Sequence, residues 1–250
     1  KAALREADEK LAGTIISAGS RQLNQILEGG VPLGSLTLIE GTALTGKSVL
    51  CQHIAYEVLS AGHRVNYFLS DNTQSGIMAQ MESIGLGVTK YAQAGRINIA
   101  PVTDQFANDD EDCEMSLDPD VLLDLLAKEI ENSPSLSKFV IVDNVTNLFT
   151  YSDERAILRF FASCKRLCTE GRAIILVAQS HAFDKSMLGR VRDISDAHFS
   201  LYKEKLGMKL GTTLEVVKSN GVELNRNNTV SFEILPETGI NMMAFGRAKI

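Results

Sequence analysis

The chain has 250 residues, of which 44% are hydrophobic and 22% charged, with a formal net charge of −6. That length and apolar content suffice for one large core, while the acidic balance excludes a surface built mainly to grip nucleic-acid phosphates. No apolar run approaches the roughly 18 residues that a membrane-spanning helix needs, and the opening KAALREADEK lacks an apolar signal core, so a soluble, cytoplasmic protein is expected.

Residues 1–13 are polar, Ala-rich and helix-permissive and read as a loosely attached tail or a short helix, leaving 14–250 as one domain. RQLNQILEGGVPLGSLTLIEG predicts a short amphipathic helix with Leu23, Ile26 and Leu27 inward, a Gly-Gly stop, a Pro-Leu-Gly turn and a buried strand over Leu36–Glu40. A helix from Gly46 to about residue 61 follows, then a strand over Val65–Leu69, a helix over Gln74–Ile84 and a short strand over Ile97–Pro101. DQFANDDEDCEMSLDPD is acid-rich and reads as an exposed loop rather than a metal site. PDVLLDLLAKEIENS and DERAILRFFASCKRLCTEG carry apolar residues at helical spacing, and KFVIVDNV and RAIILVAQS are buried strands. Cys51, Cys113, Cys164 and Cys168 form no CxxC and have no His at metal spacing, which argues against zinc. Cys164 and Cys168, one turn apart beside Phe160 and Phe161, read as core packing.

Strands apolar on both faces, alternating with helices, imply a mostly parallel sheet flanked by helices. From His198 onward, AHFSLYKEK, TTLEVVKSNGVEL and TVSFEILPETGI look like antiparallel strands finishing one edge. The fold class is therefore α/β, without internal repeats.

Residues Gly41, Thr42, Ala43, Leu44, Thr45, Gly46, Lys47 and Ser48 match G-x-x-x-x-G-K-[ST] between a buried strand and a helix, the context that pattern requires. Backbone N–H groups through Val49 and the helix N-terminus would face phosphate oxygens, and the Lys47 ammonium would neutralise β and γ charge. Ser48 would place its hydroxyl on Mg²⁺, and Asp143, ending KFVIVD at the carboxyl edge of the sheet, would hold a Mg²⁺ water; capping of the next helix is the alternative reading of Asp143. Hydrolysis needs a carboxylate within reach of the attacking water. Asp71, just past VNYFL, is the one well-placed acid; its neighbour Asn72 is uncharged, and an N-cap role for Asp71 stands beside the catalytic one. Gln179, at the end of RAIILVAQ, is placed to sense the γ-phosphate, against the plainer reading of a polar residue leaving a strand. His53, His63 and His181 read as helix and turn residues.

On these residues the chain resembles the RecA/KaiC-like P-loop ATPases and, within them, the archaellum (archaeal flagellum) accessory ATPase family FlaH or ArlH. GGVPLGSLTLIEG…TGKSVLCQ, GIMAQMESIG, LEVVKSNGVELNRNNTVSFEILPETGI and the closing RAK carry the resemblance, which covers nearly the whole domain. It implies a RecA-type core that binds ATP with Mg²⁺, forms a homo-hexameric ring when assembled, and sits beneath the archaellum motor. There it would associate with the motor ATPase and the scaffold ring, peripheral to the membrane through partners only, as a regulator with weak or no turnover. KaiC-like domains carry paired Glu where this chain has Asp71 and Asn72. They also present Lys and Arg to a neighbour's γ-phosphate, where VKSNG keeps Lys218 but has Asn220; losing an arginine finger costs about 10³-fold or more in rate. Thr42-Ala43-Leu44 replaces acids and Gly and stiffens the loop. A nucleotide-gated regulatory subunit is the leading expectation. The alternatives are a working ATPase or KaiC-like autokinase, with Asp71 as base and residues such as Thr45 as acceptors, and a recombinase-like DNA-binding filament protein, for which no Lys/Arg-rich aromatic loop is available.

Overall fold

The computed structural model describes residues 15–17, 24–25, 29–70, 72–102, 118–134, 137–220 and 228–243. Asp71, the 1–13 tail, the acid-rich loop around 104–117, most of the 21–28 segment expected to be helical, Cys113 and the closing RAK lie outside them.

In chain order the strands are β1 (Ile15–Ile16), β2 (Val31–Pro32), β3 (Leu36–Gly41), β4 (Val65–Leu69), β5 (Ile97–Pro101), β6 (Phe139–Asp143), β7 (Ala173–Gln179), β8 (Ala197–Leu206), β9 (Lys209–Ser219), β10 (Thr229–Leu235) and β11 (Gly239–Met242). The helices are α1 (Lys47–Ser60), α2 (Gln74–Ser83), α3 (Thr89–Gln93), α4 (Pro119–Asn132), α5 (Thr146–Tyr151), α6 (Glu154–Thr169) and α7 (Lys185–Ile194), with a 3₁₀ turn at Ser180–Ala182. Among the described residues nine strands form one sheet in the order β11-β10-β9-β8-β3-β7-β6-β4-β5, and β1 pairs with β2 in a separate ribbon. From β8 to β5 every pairing is parallel, and β9, β10 and β11 add antiparallel strands at one edge. The expected mixed α/β architecture is the observed one.

Two apolar layers sandwich this sheet. On one face Ile39, Tyr67, Ile141, Ile175 and Val177 pack on Leu50, Ile54 and Val58 of α1. On the other, Leu36, Leu38, Val140, Leu176 and Ala178 pack on Leu126 of α4 and Phe160, Phe161, Cys164 and Leu167 of α6. The buried stripe of α6 recurs at three- and four-residue steps, which fixes which face turns inward. Each such side chain contributes about 1.5–3 kcal/mol by leaving water. Cys164 and Cys168 are buried in this layer, as core packing requires.

The expected Pro-Leu-Gly turn is found at Leu33–Gly34. Val31–Pro32 pairs with β1, and the chain reverses at Gly34, whose φ of +81° suits glycine. Three short helices, α3, α5 and α7, had no sequence expectation. α7 buries only Met187 and Val191, too thin a stripe to read against its Lys and Arg; its start is fixed by Asp184, which accepts from Met187 N at 2.7 Å.

Candidate functional site

The loop over residues 41–48 leaves β3 at the carboxyl edge of the parallel strands, where ligands sit in open α/β sheets. Gly41 must be glycine because a Cβ would collide with the Leu201 carbonyl of β8. Thr42, Ala43 and Leu44 are exposed, and Leu44 is held at φ +61°, so the stiffening expected of these residues takes the form of a non-glycine in left-handed geometry. The Thr45 hydroxyl donates to Thr42 O at 2.9 Å and closes the loop on itself. Gly46, at φ +83°, starts α1 without any side-chain cap, leaving first-turn N–H groups open to an anion.

Lys47 is buried, and its ammonium donates to Gly41 O at 3.0 Å and Thr42 O at 2.8 Å, which places it across the mouth of the loop. Burial lowers its pKa, and the neighbouring carboxylates Asp143 and Glu40 oppose that drop. Ser48 Oγ donates to Asp143 Oδ1 at 3.1 Å, and Tyr67 OH donates to Asp143 Oδ2 at 2.8 Å. The tyrosine fixes the carboxylate's orientation, while burial and the adjacent charge push the phenol's own pKa up. Asp143 does not cap α5, whose N-cap is Val145 without a side-chain bond; the neighbouring Asn144 side chain accepts from Thr146 N at 2.6 Å. A hydroxyl and a carboxylate oxygen side by side form the hard-oxygen pair that suits Mg²⁺, an ion that takes one or two protein oxygens and completes its shell with water and phosphate.

Gln179 pairs in register with Gly41 and so lies one strand away from the loop's first residue. Its N–H donates to Thr146 Oγ1 at 2.8 Å. Asn72 is exposed and accepts from Thr73 N, and it is Thr73 that caps α2, accepting from Gly76 N at 3.1 Å. Lys218 stands elsewhere. On antiparallel β9 it pairs with His198, level with Leu38, and its ammonium donates to Arg192 O (2.9 Å), Asp193 O (3.0 Å) and Ser195 O (2.7 Å) at the end of α7. Asn220 donates to Asp196 Oδ1 at 3.0 Å, again at the amino edge of the parallel strands. The topology thus separates both residues from their own chain's loop.

Two residues of the site carry no motif. Tyr67 is one; Glu40 is the other, a carboxylate 5% exposed that precedes the loop and bonds the Ser180 hydroxyl. The available signal for Glu40 was an acid inside an otherwise apolar strand, LTLIEG. His53 is no ligand; its Nε2 accepts from Ile240 N at 3.1 Å and ties α1 to the β10–β11 hairpin. Ile234 of that hairpin lies against Gly46.

Fold and site together are those of a P-loop nucleotide-binding core of the RecA type. The family model described as "ATPase: KaiC" matches residues 16–246, and the chain belongs to this KaiC ATPase family. It is 27% identical over 231 residues to the archaeal flagellar ATP-binding protein FlaH of Sulfolobus acidocaldarius, covering 92% of this chain and 96% of that one. It is 26% identical to FlaH of Methanocaldococcus jannaschii over 220 residues, 87% of this chain and 90% of that one. The crystal structure of the flagellar accessory protein FlaH from M. jannaschii superposes with a TM-score of 0.74 at 23% identity, covering 94% of this chain and 99% of that one.

Proposed function

We propose that the chain is an ATP- and Mg²⁺-binding switch of the archaellum machinery, acting on the motor ATPase and scaffold ring from the cytoplasmic side. It assembles as a homo-hexamer and hydrolyses ATP slowly. The observation that carries the nucleotide reading is the convergence of Lys47, the uncapped start of α1 and the Ser48–Asp143 pair at one sheet edge. Thr42 through Val49 would cradle the phosphates, Ser48 and Asp143 would hold Mg²⁺, the latter through water, and the ion would neutralise phosphate charge. The similarity to FlaH over most of both chains supports the archaellum assignment. No helix among the described residues is long and apolar enough to cross a membrane, consistent with attachment through partners.

Slow turnover is supported by three features. Asn72 supplies no carboxylate, Lys218 is engaged by three carbonyls, and Asn220 stands where an arginine would act in trans. Asp71 remains the proposed base and Gln179 the proposed γ-phosphate sensor, with Lys218 reaching a neighbouring subunit's nucleotide in the ring. Thermal melting tests the switch reading. ATP with Mg²⁺ at about 100 times its Kd should add about 2.7 kcal/mol of stability, and Lys47→Ala should abolish the gain. A wild-type melt unmoved by ATP and Mg²⁺ refutes it.

A further inference from the structure

A run of part-buried polar contacts around Glu40 and His198 links the Gln179 end of the site to the antiparallel edge of the sheet. Ser180, directly after Gln179, donates its hydroxyl to Glu40 Oε2. Ser200 is paired with Glu40 across β3 and β8 and helps to hold the carboxylate ionised. His198, fully buried and two residues earlier on β8, brings Nε2 to 3.5 Å from Glu40 Oε1, with no closer partner for that nitrogen among the described residues. Its Nδ1 accepts from Arg192 Nε at 2.9 Å, so Nδ1 carries no proton and the ring proton sits on Nε2, facing the carboxylate. The carbonyl of the same Arg192 accepts from Lys218 at 2.9 Å. A bulge in β9 brings Lys218 opposite His198, because the pairing jumps from His198–Lys218 to Phe199–Val216.

Hydrogen bonds join Lys218 to the Arg192 carbonyl, the Arg192 side chain to His198, and Ser180 to Glu40, while His198 Nε2 faces Glu40 at 3.5 Å. A buried carboxylate is costly unless several donors face it, and the apolar core could have been completed here with less expense by a valine or leucine. Glu40 also closes a gap that the nucleotide-facing residues leave. Gln179 is held from one side by Thr146, and Ser180 tethers the turn that follows it from the other.

From this we infer that Glu40 is a positioning residue for Gln179, and that His198 and Arg192 couple it to the Lys218 end of α7, so that whatever engages Lys218 alters how the site reads the γ-phosphate. The inference rests on the nucleotide-binding reading above. Two ends of one sheet joined by a polar chain, with the His198–Glu40 step at 3.5 Å, can bias each other through a small shift of α7 against β8. In a ring, Lys218 leaving the α7 carbonyls for a neighbour's phosphate would free Arg192 and His198 to move and loosen Ser180.

The readout is the ratio of the dissociation constants for ADP and ATP, each with Mg²⁺, measured by competition against a fluorescent nucleotide on the full chain. Ser180→Ala and Glu40→Gln should lower that ratio at least fivefold while leaving ADP affinity within twofold, and Ser180→Thr should keep it. Arg192→Met and Lys218→Met, remote from the phosphates of their own chain, should lower it at least twofold. A purely structural role predicts ATP and ADP affinities falling together, and that outcome overturns the inference, as does an unchanged ratio in Ser180→Ala and Arg192→Met. Wild-type protein that binds neither nucleotide refutes the proposed function itself. Wild type that prefers ATP, with Gln179→Ala lowering the ratio and Ser180→Ala leaving it intact, refutes only the positioning role.

Discussion

Replacing Glu40 by Gln removes the charge of a buried carboxylate while keeping its shape. Burial by itself would raise its pKa, but contacts from His198, Ser180 and Ser200 overcome that and hold it at about 2, against 4.5 for a free carboxyl. At about 1.4 kcal/mol per pH unit, that depression corresponds to about 3 kcal/mol of folding stability. The sign follows from the direction of the shift. The folded value lies below the unfolded one, so the contribution is complete above about pH 5 and is lost as pH falls through about 2. Urea unfolding of wild type and Glu40→Gln, followed by circular dichroism between pH 7 and pH 3, should show a gap of about 3 kcal/mol at neutral pH that shrinks to less than about half by pH 3. A gap below about 1 kcal/mol at pH 7, or one that stays constant down to pH 3, would refute the claim that the charged form of Glu40 is held by its neighbours.

Gly46→Ala should destabilise the fold by about 1–2 kcal/mol from its left-handed backbone alone, with a further loss because the added methyl would lie 2.5 Å from Ile234 Cδ1. Combining it with Ile234→Ala in a thermal double-mutant cycle should return the steric part, and strict additivity would show that the hairpin does not press on the loop. Cys51, Cys164 and Cys168 are buried, and burial raises each thiol's pKa, to about 12 for Cys168. Thiol labelling at pH 8 with peptide mapping should therefore leave these three unmodified in the native protein and modify all three in urea.

Much of the fold was legible because its signals are local. LTLIEG, VNYFL, FVIVD and AIILVAQ are buried on both faces, and a strand that must be apolar on both sides announces a covered parallel sheet. The phosphate loop was legible for the same reason, since strand, loop and helix start lie within a dozen residues. α7 was not legible, because it is anchored by two apolar side chains and an Asp184 cap, a pattern too sparse to separate from a polar loop. Nor was the N-cap of α2, where the Thr73 hydroxyl accepts from Gly76 N in the helix's first turn.

The sequence by itself determined the class of chemistry, because phosphate binding depends on a contiguous motif whose geometry is set by chain neighbours: glycine conformations, a helix N-terminus and one lysine. Only the tertiary structure decided which distant side chains serve that motif. Tyr67 and Asp143 are 76 residues apart, and Glu40 and Ser180 are 140 apart. Strand order alone brings them together, placing β4 beside β6 and β3 between β7 and β8. The same strand order sent Lys218 to the far end of the sheet and into the carbonyls of α7, because an antiparallel strand delivers its last residues to the edge opposite the one where parallel strands deliver theirs.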